Sequence, residues 1–487
     1  MIRNTPSADF FEQIKSVVGP RGWTSRQNAE RYFTDQRARF VGDAALVVLP
    51  KTTGQVSAVV ALCNSQNVGI IPFGGGTGAS AGHLDFEGQN AIVLSLERMD
   101  AIRSIDIETE TITVEAGCIL ANIQSAADQI ERRFGLSLAS EGSCTIGGNL
   151  ASNAGGIQVL RYGNARDMCL GIEAVLADGA ILNDLRPLRK DNTGFDLRNL
   201  LIGSEGTLGI ITAATLKLVP RPQEITTFIT AFRSPDCALA LLHSMRSALG
   251  DSITAFELMS QLSIKLATKY FKNLRDPFNL PYPWYAVVDV EGHRGTTKLV
   301  DEVLTKALEA EIVIDAVVAQ SDTQRQSIWN LREFAFEYNM KEGAFCSSDT
   351  AVPIGEIGNF IQMTDAALAE LDPNLRANRY GHLGDGNIHV NVFPPEGVSK
   401  SEYLRNNANL RDDVHILINS ITEACRGTVS AEHGIGRLKR AALLQFGDPT
   451  KIATMRAIKK ALDPHNIMNP GALFTDELSI SKPGLSR

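Results

Sequence analysis

The sequence predicts an α+β protein of two or three domains, and three observations carry that expectation. The chain has 487 residues, whereas a single core stops growing beyond about 250–300 residues. Between residues 45 and 78 an apolar run, a helix-period segment and a second apolar run lead into a glycine loop, so the loop sits at a strand's end. Beyond Pro220-Arg221-Pro222 the texture changes, and strands and helices alternate with few glycines between them.

Taken in order, residues 45–49 (ALVVL) form a short strand ended by Pro50. Residues 53–67 carry apolar positions at helical spacing, and 68–73 (VGIIPF) form a second strand. Several strands are expected over 90–115, a helix over 119–133, a glycine-rich stretch over 142–156, and strands over 170–182 and 209–219. After the proline pair, strands near 226–232, 284–291 and 312–318 alternate with helices near 236–249, 296–310 and 323–341. Single helices are expected over 401–426 and 442–462, and a loose tail after Phe474. The implied division is an N-terminal helical segment (1–41), a first domain (42–221), a second domain (222–426), a C-terminal segment (427–474) and the tail (475–487).

Composition excludes several classes. A net charge of −8 and a pI near 5.6 leave no basic footprint for nucleic acid. Seven cysteines lie singly, with no C-x-x-C pair, which argues against a disulfide scaffold and against a thiolate zinc site and fits a reducing compartment. No apolar run reaches the roughly 18 residues of a membrane span, and no signal-peptide core follows Met1. The expected location is the cytoplasm.

Glycine marks the first candidate site. In Pro72-Phe73-Gly74-Gly75-Gly76-Thr77-Gly78, successive backbone N–H groups can converge on one anion with no Cβ in the way. A dinucleotide-binding G-x-G-x-x-A reading, ending at Ala79, is rejected because no helical period follows and Gly82 and Gly88 come soon after. The run from Ser140 to Gly156 is built almost wholly of small residues, poor material for a core but suited to backbone lying against a large flat ligand. Gly203-Ser204-Glu205-Gly206-Thr207-Leu208-Gly209 has the same character.

Histidine marks the second. Of eight histidines, three fall in two dense motifs. In Tyr380-Gly381-His382-Leu383-Gly384-Asp385-Gly386-Asn387-Ile388-His389-Val390-Asn391, the Gly-Asp-Gly-Asn turn predicts a hairpin that pairs Leu383 with Ile388 and His382 with His389. Asn391 shares the face of His389 by the two-residue period. Gly427-Thr428-Val429-Ser430-Ala431-Glu432-His433-Gly434 offers Glu432 as a third ligand. Two imidazoles and a carboxylate with open positions suit a divalent metal, zinc first, with manganese or iron as alternatives.

These stretches, with LRYGNARD (160–167) and LRKDNTGFDL (188–197), resemble the flavoprotein family of vanillyl-alcohol oxidase and p-cresol methylhydroxylase, and within it the D-2-hydroxyglutarate and D-lactate dehydrogenase branch. The resemblance runs from about residue 40 to 474. It implies a two-part FAD-binding domain, an α+β substrate (cap) domain with an antiparallel sheet, and a C-terminal helical segment returning to the flavin. Carried onto this chain, it implies FAD contacts at Pro72, Gly74, Gly75, Gly76, Thr77, Gly78, Gly142, Thr145, Gly148, Ser152, Asn153, Gly155, Gly156, Glu205, Gly206, Ile210 and Asn469. Covalent members often carry a histidine in or near the first loop. Here the nearest, His83, lies five residues beyond Gly78, so non-covalent FAD is expected. The resemblance assigns the metal to His382, His389 and Glu432, the base to His433, and the substrate to His433, Asn391 and Arg332. Arg332 stands in a Trp-x-x-Arg element and is expected to clamp the substrate carboxylate through its planar fork.

One departure bears on the substrate. Where D-2-hydroxyglutarate dehydrogenases carry a lysine two residues before an aspartate, this chain has Ser347 before Asp349, and Phe336 replaces a nearby threonine. Arg379 and Lys341 are the alternative cations. The implied activity is oxidation of a D-2-hydroxy acid, with electrons passing to an electron-transfer flavoprotein, a quinone or a cytochrome, in a chain that pairs as a homodimer. Two rivals stay open: an oxidase reducing O2, and a non-redox FAD enzyme of the alkylglycerone-phosphate synthase type, against which the histidine hairpin and the absent membrane signals weigh.

Overall fold

The computed structural model describes residues 4–35, 39–86 and 90–474. Gly88, parts of the expected N-terminal segment and the tail 475–487 lie outside the described residues. The chain divides into two compact units, one drawn from within 1–155, 164–221 and 432–487, the other from 156–163 and 222–431. Residues 427–431 and Gly156 therefore lie in the second unit. No helix among the described residues is long and apolar enough to cross a membrane.

The first unit holds two main sheets. One orders Trp23–Thr24, Val47–Val48, Ala91–Ser95 and Gly69–Phe73, with Ala91–Ser95 parallel to both neighbours among the last three. The other is antiparallel, in the order Ile102–Asp106, Thr111–Glu115, Gly209–Lys217, Cys169–Leu176, Ile181–Asp184. The helix Thr53–Gln66 starts where the Thr52 side chain accepts from Gln55 N–H and stops at Asn67, whose φ of 54° is left-handed. Its Val56, Val59, Val60 and Cys63, at i, i+3, i+4 and i+7, are fully buried with Ile70, Ile92 and Val175. Each such side chain contributes about 1.5–3 kcal/mol on burial.

The second unit is one antiparallel sheet of eight strands, in the order Asp315–Val318, Glu224–Phe232, Trp284–Gly292, Ile253–Ser260, Arg376–His382, Asn387–Phe393, Cys346–Ser347, with Thr350–Ala351 also pairing Asn387–Phe393. One face presents Phe228, Phe256, Val288, Val390 and Val392 to the helices Pro235–Leu249, Thr296–Glu309, Ile357–Leu371 and Leu410–Ala424. The other presents Ile229, Met259, Tyr285 and Tyr380 to Gln261–Tyr270, Asp322–Glu333 and Ala335–Glu342.

Several expected elements divide. The 401–426 helix breaks at Asn407, whose side-chain amide donates to Tyr403 O (3.0 Å) and competes with the helical ladder. The 442–462 helix restarts at Pro449, capped by Asp448, the usual signal of a new N-terminus. The 170–182 strand turns at Gly179 (φ +88°) into a hairpin, and 119–133 ends as a helix at Asp128. The 323–341 helix parts at Phe334, which packs on Phe271. The strand Ile253–Ser260 and the short helix Ile146–Ala151 were not anticipated, the first because buried Glu257 interrupts an otherwise apolar run, the second because its glycines are poor helix formers.

Candidate active site

In the first unit the three glycine stretches converge. A Cβ on Gly74 would lie 2.9 Å from Thr145 Oγ1 and 3.3 Å from Gly148 Cα, and one on Gly75 would lie 2.3 Å from Ser143 O. A Cβ on Gly206, whose φ is +70°, would lie 2.8 Å from Pro72 Cγ. Only glycine permits these approaches, so backbone rather than side chain lines the junction. Nothing lies within 4 Å of a Cβ at Gly78 or Gly142, where the cradle is open. Thr145 Oγ1 is buried without a protein partner beside Gly74. A buried hydroxyl of this kind at a glycine junction fits a ligand that brings its own acceptors, as a dinucleotide does. As expected, no helix follows Gly78 directly among the described residues.

Other expected contacts have different surroundings. Ser152 Oγ donates to Gly148 O (2.9 Å), and Asn153, at a φ of 49°, accepts from Arg166 N–H. Ile210 is core. Glu205 accepts N–H bonds from Ile435 (2.8 Å) and Gly436 (2.7 Å); burial raises its pKa, and those two bonds work against the rise. Asn469 Nδ2 donates to Gly82 O and Glu205 O while its Oδ1 accepts from Arg437. These two side chains tie the loops of the cradle together. The Glu432–His433 segment belongs to the same unit, with His433 Nε2 3.5 Å from Glu432 Oε1 and its carbonyl accepting from Ser80 Oγ (3.0 Å). Gly434 next to it has a φ of +70°, and a Cβ there would meet Glu205 Oε1 at 2.8 Å.

In the second unit the polar residues gather on the sheet face under Asp322–Glu333. Ser321 caps that helix, and Arg325, Trp329 and Arg332 fall at i, i+4 and i+7, one stripe. Arg325 Nη2 (2.9 Å) and Trp329 Nε1 (3.0 Å) donate to Asp289, and Arg332 Nε donates to Glu257 Oε2 (2.7 Å). Arg332 is buried at 8% exposure, over the Tyr380 ring at 4.8 Å. Glu257, on the unanticipated strand, is fully buried; its Oε1 holds His382 Nδ1 at 2.5 Å. Burial alone would raise its pKa, but His382 and Arg332 outweigh that and hold it at about 2.

The hairpin register differs from expectation by two residues, which keeps both histidines on one face. His382 opposes Asn387, and His389 opposes Tyr380, around the loop Leu383–Gly386. The cause lies outside the hairpin: Leu383 N–H donates to Phe256 O, and the Leu383 side chain is buried in the opposite core. The histidines are thus diagonal neighbours on one face, ring centroids 6.0 Å apart. His389 Nδ1 faces Ser348 O at 3.3 Å. A carboxylate and a carbonyl can only accept, so in each ring Nδ1 carries a proton, which in the neutral ring leaves the lone pair on Nε2, the arrangement of a metal-ligating histidine with its supporting acceptor. Asn391 lies on that face, as the two-residue period requires, and its amide donates to Tyr380 Oη (3.3 Å).

Ser347 pairs directly with Asn391 and shares its face. Arg379 alternates to the other face, where it binds Asp365, and Lys341 Nζ lies 4.4 Å over the Phe271 ring. Among the described residues, sequence reasoning missed Glu257, which holds two of the expected site residues. Its only signal was an acid amid ITAFELMS.

Residues 44–184 match the FAD binding domain, and 221–473 match the C-terminal domain of FAD linked oxidases. A probable mitochondrial D-2-hydroxyglutarate dehydrogenase of Oryza sativa subsp. indica is 34% identical over 470 residues, covering 95% of this chain and 81% of that one. The D-2-hydroxyglutarate dehydrogenase of Xanthomonas citri pv. viticola is 34% identical over 461 residues, covering 94% and 95%. A crystal structure of p-cresol methylhydroxylase with substrate bound superposes with a TM-score of 0.71 over 96% of this chain and 97% of its own, at 18% identity, a likeness of fold. With the glycine cradle and the antiparallel second sheet, these matches make the chain a member of the FAD-linked oxidases, in the branch of the D-2-hydroxyglutarate dehydrogenases.

Proposed function

We propose that the chain oxidises a D-2-hydroxy acid to the 2-oxo acid, with non-covalent FAD and a divalent metal held by His382, His389 and Glu432. The observation that carries this is the Nδ1-to-acceptor contact shared by the two histidines, on the sheet face that also holds buried Arg332. Oxidation of a 2-hydroxy acid removes a hydroxyl proton and a Cα hydride. Arg332 binds the substrate carboxylate and orients Cα, and Asn391 adds an amide on the same face. His433 takes the hydroxyl proton on its ring. FAD, when bound, supplies the hydride acceptor, and the divalent ion supplies Lewis acidity that lowers the hydroxyl pKa. An electron-transfer flavoprotein, a quinone or a cytochrome would serve as the separate electron acceptor.

Ser347 supports a monocarboxylic substrate, because a second buried carboxylate needs its own cation. Arg379 and Lys341 are engaged elsewhere. The test is anaerobic bleaching of the flavin by D- and L-2-hydroxy acids. D-substrates are expected to bleach it and L-substrates not; no bleaching by any hydroxy acid would point to a non-redox enzyme, and peroxide formed stoichiometrically in air to an oxidase. Acid precipitation is expected to release all flavin into solution, and flavin kept by the denatured chain would contradict non-covalent binding.

A further inference from the structure

Glu257 is a carboxylate in the middle of the buried strand Ile253–Ser260, and each of its oxygens serves a different partner. Oε1 meets His382 Nδ1, and Oε2 meets Arg332 Nε. The partners lie 125 and 75 residues away in sequence. On the histidine, the carboxylate keeps a proton on Nδ1, so that the neutral ring offers its lone pair at Nε2. On the arginine, a bond in the guanidinium plane at Nε, with the Tyr380 ring against its face at 4.8 Å, fixes the rotation of the whole fork.

We infer that Glu257 is a positioning residue shared by the metal ligand His382 and the carboxylate clamp Arg332, so that one buried side chain aims both groups at a single substrate. The inference rests on the metal reading of His382 and His389. An amide at 257 has one acceptor oxygen and cannot serve both partners. If its NH2 turns to His382, Nδ1 must accept, the proton moves to Nε2, and the ligating lone pair is lost.

The experiment uses the full-length flavoprotein. Zn2+ affinity is measured by competition with a chromophoric chelator, and KM and kcat for D-2-hydroxyglutarate and D-lactate are measured at saturating Zn2+. Glu257→Gln is expected to weaken Zn2+ binding by about ten- to hundredfold and to raise KM by about tenfold, with flavin content unchanged. Glu257→Asp keeps two acceptor oxygens and is expected to recover part of both losses. A merely structural role would lower thermal stability and leave Zn2+ affinity and KM of the folded protein at parent values, and that result overturns the inference. A change in only one of the two readouts overturns the shared role. If Glu257→Gln does not accumulate as folded flavoprotein, Glu257→Asp carries the test, with both readouts expected to shift by about three- to tenfold and parent values in both overturning it. His382→Ala separates the failures. If it keeps parent zinc, the metal reading falls and this inference with it; if it loses zinc while Glu257→Gln matches the parent, only the role of Glu257 falls.

Discussion

The glycine junction of the first unit presents backbone, and the sheet face of the second unit presents side chains. At the glycine junction an added Cβ would meet Ser143 O, Gly148 Cα or the short side chains of Thr145 and Pro72, and what a residue must supply is the absence of that Cβ. On the sheet face of the second unit the polar contacts that matter join charged or polar side chains, Arg325 to Asp289, Arg332 to Glu257, Glu257 to His382. The difference teaches how each should fail. A backbone site breaks sterically, at almost any enlargement and with little dependence on chemistry. A side-chain site breaks electrostatically, when one member of a buried chain loses its charge or its lone pair and leaves the next without a partner.

The largest expected effect follows from the first half of that contrast. Gly75→Ala sets a Cβ about 2.3 Å from Ser143 O, and overpacking against backbone costs about 3 kcal/mol, roughly a hundredfold in FAD affinity. The purified variant is expected to be nearly colourless, while Gly78→Ala and Gly142→Ala, with open space at Cβ, keep parent flavin. A yellow Gly75→Ala protein with a parent flavin-to-protein ratio would break the comparison.

The second half predicts the reverse pattern for His382→Ala: flavin retained, metal lost. Loss of several kcal/mol of charge stabilisation lowers kcat/KM by about two to three orders of magnitude. Metal analysis and flavin absorbance on one preparation check both parts. Full activity in a metal-free preparation would show that the second unit's polar face does not work through an ion.

Ser347→Lys sharpens the comparison rather than breaking it, because it adds a charge to the side-chain face. A charge-assisted hydrogen bond to a second carboxylate is worth about 1.5–3 kcal/mol, so the ratio of kcat/KM for D-2-hydroxyglutarate over D-lactate should rise by roughly ten- to hundredfold. A parent enzyme that already prefers the dicarboxylate strongly, with no change in Ser347→Lys, would move the question to other residues of that face.

Local pattern made much of this legible. The glycine stretches are short-range statements about where a Cβ is forbidden, and they can be read from residue type alone; so can the alternation that sets Asn391 beside His389. The breaks at Asn407 and Pro449 were also written locally, in an amide that competes for backbone and in a proline at a helix start, although the longer apolar period masked them. Tertiary structure alone decided the rest. The hairpin slipped two residues from its turn-based register because Leu383 is pulled into a core and hydrogen-bonded to Phe256, a contact no local rule contains. Glu257 is isolated in its own segment, and only strand pairing and the packing of a distant helix bring His382 and Arg332 to its two oxygens. A buried charge takes its meaning from its partners, and the partners are chosen by the fold.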